Sequence, residues 1–179
     1  MLFSFILFLF AAIVCFTVPG IFLLNKSKVQ FNFWEKIILG TTLGFTFFTL
    51  LSYLLLMTKL GFLLLPIIII IFLICLKQIL SLKEGFSLLH KKRLVLFVFV
   101  FLFGVIGQLA VIAPSGIFQN GDLLFWSSHW HDSTWHISLM EEYKKGYPLK
   151  NPVFSGEKLV NYHFFSDIAP AEFNRYFKI

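Results

Sequence analysis

Residues 61 to 80 read GFLLLPIIIIIFLICLKQIL, an apolar run with no charged residue before Lys77. Its length is close to the roughly 20 residues that a helix needs to cross the hydrocarbon core of a bilayer. Three other runs share this character, near residues 2–24, 37–57 and 94–113. The four runs predict an all-α integral membrane protein with four transmembrane helices.

The composition of the whole chain favours the same class. Of 179 residues, 58% are hydrophobic, 25 are phenylalanine and only 13% are charged, whereas about a quarter of a typical soluble domain is charged. The net charge of +6 is divided into short patches between the apolar runs and forms no basic stripe. We therefore expect the lipid bilayer as a partner and no nucleic acid.

The basic residues of the loops predict the orientation. The loop at 25–36 carries three lysines and the loop at 77–93 carries five basic residues, whereas the turn at 58–60 carries only Lys59. Because cytoplasmic loops are enriched in lysine and arginine, the two basic loops are expected in the cytoplasm. This places the N-terminus and residues 114–179 on the external side of a plasma (inner) membrane protein.

Small residues inside the apolar runs predict how the helices pack. Gly40 and Gly44 form a GxxxG-like pair, and Gly104 and Gly107 add small surfaces to the fourth run. Such residues let helix backbones approach closely in lipid. Cys15 and Cys75 lie inside apolar runs and are interpreted as packing residues, not as a disulfide or a metal pair.

The composition changes after residue 113, which divides a transmembrane region (1–113) from an external loop region (114–179). The external region holds all three aspartates and four of the five histidines. Residues 129–136 read HWHDSTWH, and Gly146 and Pro148 follow soon after. The pattern predicts a helix over 128–145. Its aromatic residues suit an amphipathic helix at the membrane interface.

On that helix, His129, Asp132 and His136 are spaced i, i+3 and i+7 and so project from one face. A carboxylate beside an imidazole can take a proton from a hydroxyl group, so Asp132 and His136 are the predicted catalytic residues. We predict that His129 and His131 bind substrate. The candidate ligands for a divalent cation are Asp132, His136 and Glu141. An alternative is that Asp132 only caps the helix and the histidines lie in interfacial water.

A second polar cluster occupies residues 151–167, NPVFSGEKLVNYHFFSD. Tyr162, His163 and Asp167 lie at its end, where their side chains could reach a ligand, and they are predicted to bind substrate. The alternative is a surface loop that leads into a capped helix start.

The order of residues in GDLLFWSSHWHDSTWHISLMEEYKKGYPLKNPVFSGEKLVNYHFFSD, 121–167, resembles the first external loop of GT-C superfamily glycosyltransferase-like and mannosyltransferase-like membrane proteins. The resemblance implies transfer of a sugar from a polyprenyl-phosphate-linked donor to an acceptor at the external membrane face. Asp132 matches the catalytic carboxylate of the superfamily by its placement, acting as a base or as a metal ligand. Nearby cations that could attract a lipid phosphate are Lys144, Lys145, Lys150 and Arg175.

Two differences from that superfamily shape the expectation. Its members usually place the catalytic loop after the first membrane helix and are much longer, so this chain is expected to be an N-terminal fragment that is inactive alone. The alternative function is a transporter or a non-catalytic membrane scaffold or accessory subunit. Pro66 and Gln108 interrupt the apolar runs. This favours chemistry at the surface over transport through the bilayer centre.

Overall fold

The computed structural model describes residues 2–27, 29–80, 91–112, 117–125, 129–154, 156–160, 162 and 164–178. Over these residues the chain is mainly helical, as predicted. The helices are α1 (Leu2–Ala12), a π-helical turn (Ile13–Thr17), α2 (Val18–Lys26), α3 (Phe33–Met57), a 3₁₀ turn (Gly61–Leu63), α4 (Leu64–Leu80), α5 (Lys91–Ile112), α6 (His129–Lys145) and α7 (Phe165–Phe177). Strands β1 (Ile117–Gln119) and β2 (Asp122–Leu124) form a hairpin between α5 and α6.

The chain divides into two compact units. The first combines residues 1–85 with 138–179, and the second comprises residues 86–137. The first unit therefore contains the helices before residue 85 together with the C-terminal half of α6 and all of α7. The second contains α5, the hairpin and the first half of α6.

Two of the four predicted spans have the length and hydropathy that crossing a membrane requires. They are the helical segments Phe3–Lys26, with a mean hydropathy of 2.7, and Phe33–Met57, with a mean hydropathy of 1.7. Two other apolar helical stretches, Gly61–Leu76 and Val98–Ala110, are shorter. The four-span arrangement stays a prediction.

The first of these segments continues through a π-helical turn next to a proline. Pro19 has no backbone N–H and cannot donate the hydrogen bond that a regular helix would require there. Just before it, the Val18 N–H reaches the carbonyl of Ile13, five residues back. This shift keeps the Val18 N–H hydrogen-bonded beside the proline.

The second segment, α3, begins at a well-formed cap. Asn32 Oδ1 accepts a hydrogen bond from the Glu35 backbone N–H, and Glu35 Oε2 accepts one from the Asn32 N–H, both at 2.9 Å. This reciprocal pair provides acceptors for two of the backbone N–H groups that have no partner within the helix at its start. Inside α3 the hydroxyl groups bond to the carbonyl four residues back, as Ser52 does to Phe48 at 2.7 Å. Polar side chains are thereby tolerated in an apolar helix.

Glycines bring the two segments that could cross a membrane into backbone contact. A Cβ atom on Gly20 would lie 1.7 Å from the carbonyl oxygen of Gly40, and one on Gly44 would lie 1.8 Å from that of Phe16. The predicted packing role of Gly40 and Gly44 is confirmed, with Gly20 as a partner that the pattern did not reveal. For Gly104 and Gly107 the prediction of a packing surface finds no support, because an added Cβ would meet no atom of the described residues within 4 Å.

The first helical segment and α3 run antiparallel to each other. Gly20 approaches Gly40, and Thr17 Oγ1 lies 3.0 Å from Thr41 Oγ1, while the rings of Phe16 and Phe48 are 5.3 Å apart. Residues that come earlier in the first segment therefore contact residues that come later in α3. Helix α7 packs into the core at one end of this bundle, where the Phe173 ring contacts those of Phe16 and Phe48. Ala169 and Phe173 share one hydrophobic cluster with Ala11, Cys15, Phe16, Phe48, Leu64 and Ile68.

The hairpin in the second unit was not predicted. Ile117 pairs with Leu124 and Gln119 with Asp122, and Asn120 and Gly121 form the turn with φ angles of 54° and 92°. An Asn-Gly pair adopts these left-handed conformations readily and matches the twist of the flanking strands. The strands are only three residues long, which left too little alternation in the sequence to indicate them.

Candidate functional site

The predicted catalytic pair lies in the first half of α6, in the second unit. Asp132 is in the first turn of this helix and its side chain is exposed, while His136 is half-buried one turn later. Residues four apart in a helix project from the same face. An exposed carboxylate and a partly covered imidazole therefore lie next to each other along α6.

The other predicted residues of this stretch are described less fully. His129 and His131 belong to the first turns of α6, but their side chains are outside the described part of the structure. His163 lies outside the described residues. Their predicted roles in substrate binding stay predictions.

Glu141 and Glu142 form ion pairs within α6, in the part that belongs to the first unit. Glu141 pairs with Lys144 and Glu142 pairs with Lys145. Lys144 also donates a hydrogen bond to Asn174 Oδ1 of α7 at 2.8 Å. Across the described residues, no group of three histidine, cysteine, aspartate or glutamate side chains is placed to hold a metal ion. The candidate ligand set of Asp132, His136 and Glu141 gains no support from this arrangement.

Tyr162 and Asp167 lie in the first unit. Tyr162 is half-buried, and Asp167 is only 6% exposed in the first turn of α7, where its backbone N–H bonds to the Phe164 carbonyl at 3.0 Å. A helix start follows this stretch, as the alternative interpretation expected, but no side chain caps it, and the predicted substrate-binding roles stay predictions. The Asp167 carboxylate lies in the interior of the unit.

A buried ionic cluster in the first unit was missed by the sequence analysis. Glu172 of α7 is 2% exposed and Tyr143 of α6 is 1% exposed. Arg175 Nη1 donates to Glu172 Oε1 at 2.9 Å, and its Nη2 donates to the carbonyl of Tyr143 at 3.3 Å. The guanidinium also lies over the Tyr143 ring, 5.6 Å from its centre. Arg175 thus connects α7 to α6 through a hydrogen bond and a cation–π contact with Tyr143, while its ion pair with Glu172 lies within α7.

Burial dominates the titration of this cluster. It raises the pKa of the Tyr143 phenol, and the negative charge of Glu172 raises that pKa further. It also raises the pKa of the Glu172 carboxyl, against the lowering effects of Arg175 and Tyr143. Neither Tyr143 Oη nor Glu172 Oε2 makes a hydrogen bond of good geometry to a described residue. Removing a carboxylate from water favours its neutral form.

Helix α7 is also tied to the turn between α3 and α4. Tyr176 Oη donates a hydrogen bond to the Gly61 carbonyl at 3.0 Å. Beside it, a cavity of about 350 Å³ is lined by Lys59 of the turn, by Lys144 and Lys145 of α6 and by Arg175. Three of these four cations, Lys144, Lys145 and Arg175, are paired with glutamates of their own helices, so the positive charge of this cavity is largely compensated.

The sequence did contain a signal for α7. Its residues Phe165, Ile168, Ala169 and Phe173 repeat at helical spacing, and Glu172 and Arg175 are three residues apart. Pro170 made the stretch look like a break, because proline removes one backbone donor and is rare inside helices. In the structure Pro170 lies within the helix and is exposed.

Comparisons with protein-family models, with curated proteins and with solved structures find no match to this chain. The likeness of residues 121–167 to the GT-C superfamily therefore depends only on the residues that carry it.

Proposed function

We propose that this chain is part of a glycosyltransferase-like membrane protein that transfers a sugar from a polyprenyl-phosphate-linked donor to an acceptor at the external face of the plasma membrane. The observation that carries the proposal is the exposed carboxylate of Asp132 in the first turn of α6, with His136 one turn away on the same face. An exposed acid beside an imidazole is a suitable proton acceptor for an incoming hydroxyl group.

In the proposed reaction, Asp132 accepts the proton of the acceptor hydroxyl as its oxygen attacks the anomeric carbon of the sugar. The bond between that carbon and the phosphate oxygen breaks, and the polyprenyl phosphate leaves with the electron pair. His136 orients the carboxylate or shares its proton. A divalent cation could neutralise the departing phosphate, but no step is assigned to one because the described residues offer no three-ligand group.

The packing of the first unit supports the predicted alternation of spans. The Phe173 ring of α7 contacts Phe8 in the first half of the first segment and Phe48 in the second half of α3. Leu64 and Ile68, at the start of α4, belong to the same hydrophobic cluster. In a chain that crosses alternately, these three regions lie at the same end of the bundle. The contacts agree with a short external turn at 58–60 and an external position for α7.

The charges of the loops predict on which side of the membrane this end of the bundle lies. The loop that carries Lys26, Lys28 and Lys36 belongs to the opposite end, which the positive-inside rule assigns to the cytoplasm. In the proposed arrangement, α4 and α5 complete four spans despite the short length of their most apolar stretches. Residues 114–179 then present the site to the external side.

The test is an assay of sugar transfer on the complete gene product with Asp132→Asn. Membranes that contain the wild-type protein should transfer labelled sugar from a polyprenyl-phosphate donor, and the variant should lose this activity by at least about 100-fold. Asp122→Asn is a matched control, because Asp122 is exposed in strand β2 of the same unit. It should leave transfer unchanged.

Protein levels and membrane insertion must be equal in the three samples. Unchanged transfer by Asp132→Asn would overturn the assignment of this residue. If the wild-type protein transferred no sugar from any polyprenyl-phosphate donor, the scaffold or transporter alternative would take its place.

A further inference from the structure

Two lysines face each other across a short antiparallel ribbon that follows α6. Lys150 pairs with Lys158 in an isolated β-bridge. The flanking hydrogen bonds run from the Asn151 N–H to the Glu157 carbonyl at 2.9 Å and from the Leu159 N–H to the Leu149 carbonyl at 2.8 Å. Lys150 and Lys158 are therefore the pair without a mutual hydrogen bond, in which side chains emerge closest together.

This pairing is electrostatically unfavourable on its own. Like charges directly opposite each other destabilise an antiparallel pair. Both lysines are exposed. They line a cavity beside the ribbon, together with Lys145. The one carboxylate among the lining residues, that of Glu142, is already paired with Lys145. With three lysines and one glutamate, the lining residues carry a net charge of +2.

The cavity itself has the size of a small-molecule site. Its volume is about 710 Å³, within the range of roughly 300–1,000 Å³ that such sites occupy. Tyr147, Pro148 and Pro152 form part of its wall. Their rings offer an apolar surface beside the charged one, which suits a ligand with a charged head and a less polar body.

We propose that this cavity binds a phosphate-bearing small molecule whose phosphate lies between Lys150 and Lys158. A doubly charged phosphate matches the net charge of the lining residues and removes the repulsion between the two ammonium groups. The phosphate belongs either to a free phosphorylated molecule or to a lipid headgroup. The proposal does not depend on the transfer reaction assigned to Asp132, which lies in the other unit.

The first experiment titrates the purified full chain, in neutral detergent, with inorganic pyrophosphate by isothermal titration calorimetry. Lys150→Gln and Lys158→Gln should each weaken binding roughly tenfold, and the double variant should show no measurable binding. Lys178→Gln is the matched control, because Lys178 is an exposed lysine of the same unit that does not line the cavity.

The effect of Lys150→Gln on the thermal midpoint should reverse when pyrophosphate is added. Without ligand, Lys150→Gln should raise the midpoint, because it removes the repulsion with Lys158. With saturating pyrophosphate, the wild-type protein should become the more stable of the two, because at a given ligand concentration the tighter binder is stabilised more, by an amount that grows with the logarithm of the affinity.

Native mass spectrometry distinguishes the two sources of the phosphate. If a lipid supplies it, the wild-type protein should retain phosphatidic acid in preference to phosphatidylcholine, and the double variant should lose this preference. Pyrophosphate binding without lipid retention supports a free ligand, and lipid retention without pyrophosphate binding supports a headgroup. The proposal is overturned if the wild-type protein and the double variant behave alike in both measurements.

Discussion

Arg175 donates a hydrogen bond to the buried carboxylate of Glu172 at 2.9 Å, from a position one helical turn later on α7. The same guanidinium reaches the backbone carbonyl of Tyr143 on α6. Because Glu172 is 2% exposed, the charged form of its carboxyl is stabilised mainly by Arg175 and further by Tyr143. The pair therefore controls whether α7 can stay packed against the C-terminal half of α6.

We expect Arg175→Gln to lower the free energy of unfolding by about 3 kcal/mol at pH 7, because it leaves a buried carboxylate without its cation. The loss should shrink toward pH 4. The raised pKa of Glu172 means that the folded state takes up a proton more readily than the unfolded state. Its contribution to stability is therefore present below the ordinary glutamate pKa and is lost as the pH rises through the folded value.

Thermal unfolding in neutral detergent at several pH values measures this effect. The control is Lys145→Gln, which removes a 67% exposed cation from its pair with Glu142 within α6 and should cost less than about 1 kcal/mol. Equal losses for Arg175→Gln at pH 4 and pH 7 would contradict a buried charge as the cause.

Tyr143 should make the protein sensitive to alkali. Burial raises the pKa of its phenol, so the folded state holds the proton while the unfolded chain releases it near pH 10. The contribution of Tyr143 to stability is thus complete below about pH 10 and declines above it. Tyr143→Phe should flatten the fall in thermal midpoint between about pH 10 and 12.

Tyr147→Phe is the matched control for that experiment, since Tyr147 is 39% exposed and its substitution should leave the alkaline fall unchanged. An identical fall in the wild-type protein and in Tyr143→Phe would refute the prediction.

The contact of Gly20 with Gly40 leaves no room for a side chain. Gly20→Ala would place a methyl group 1.7 Å from a backbone oxygen, so the first two spans must move apart. We expect a loss of about 1–3 kcal/mol, as in other overpacked interiors. Gly104→Ala is the control, because its added Cβ meets no described atom within 4 Å. Thermal midpoints of the two variants should differ clearly, and equal midpoints would argue against this helix packing.

Local patterns predicted much of the helical structure. Long apolar runs indicated the positions of α3 and α4 because a helix in lipid must satisfy its backbone internally. Gly146 marked the end of α6, where its φ of 117° suits a residue without a side chain. The spacing of Gly40 and Gly44 indicated a packing face because two small residues four apart lie on one side of a helix.

What could not be predicted depends on contacts between distant parts of the chain. Nothing local to Gly20 identifies Gly40 as its neighbour. The cluster of Tyr143, Glu172 and Arg175 joins two helices that are separated in sequence by the ribbon at 149–159. A single acidic residue such as Glu172 looks like a surface residue until its burial is known.

The central claim is that Asp132 presents its carboxylate on the external side of the membrane, and cysteine labelling tests it most directly. In a background with Cys15→Ala and Cys75→Ala, single cysteines at positions 132, 59 and 29 would be treated with a membrane-impermeant maleimide on intact cells. Asp132 and Lys59 are exposed, and Val29 is exposed in the predicted cytoplasmic loop. The account predicts labelling at 132 and 59 in intact cells, and at 29 only after permeabilisation. Labelling at 132 only after permeabilisation would contradict it.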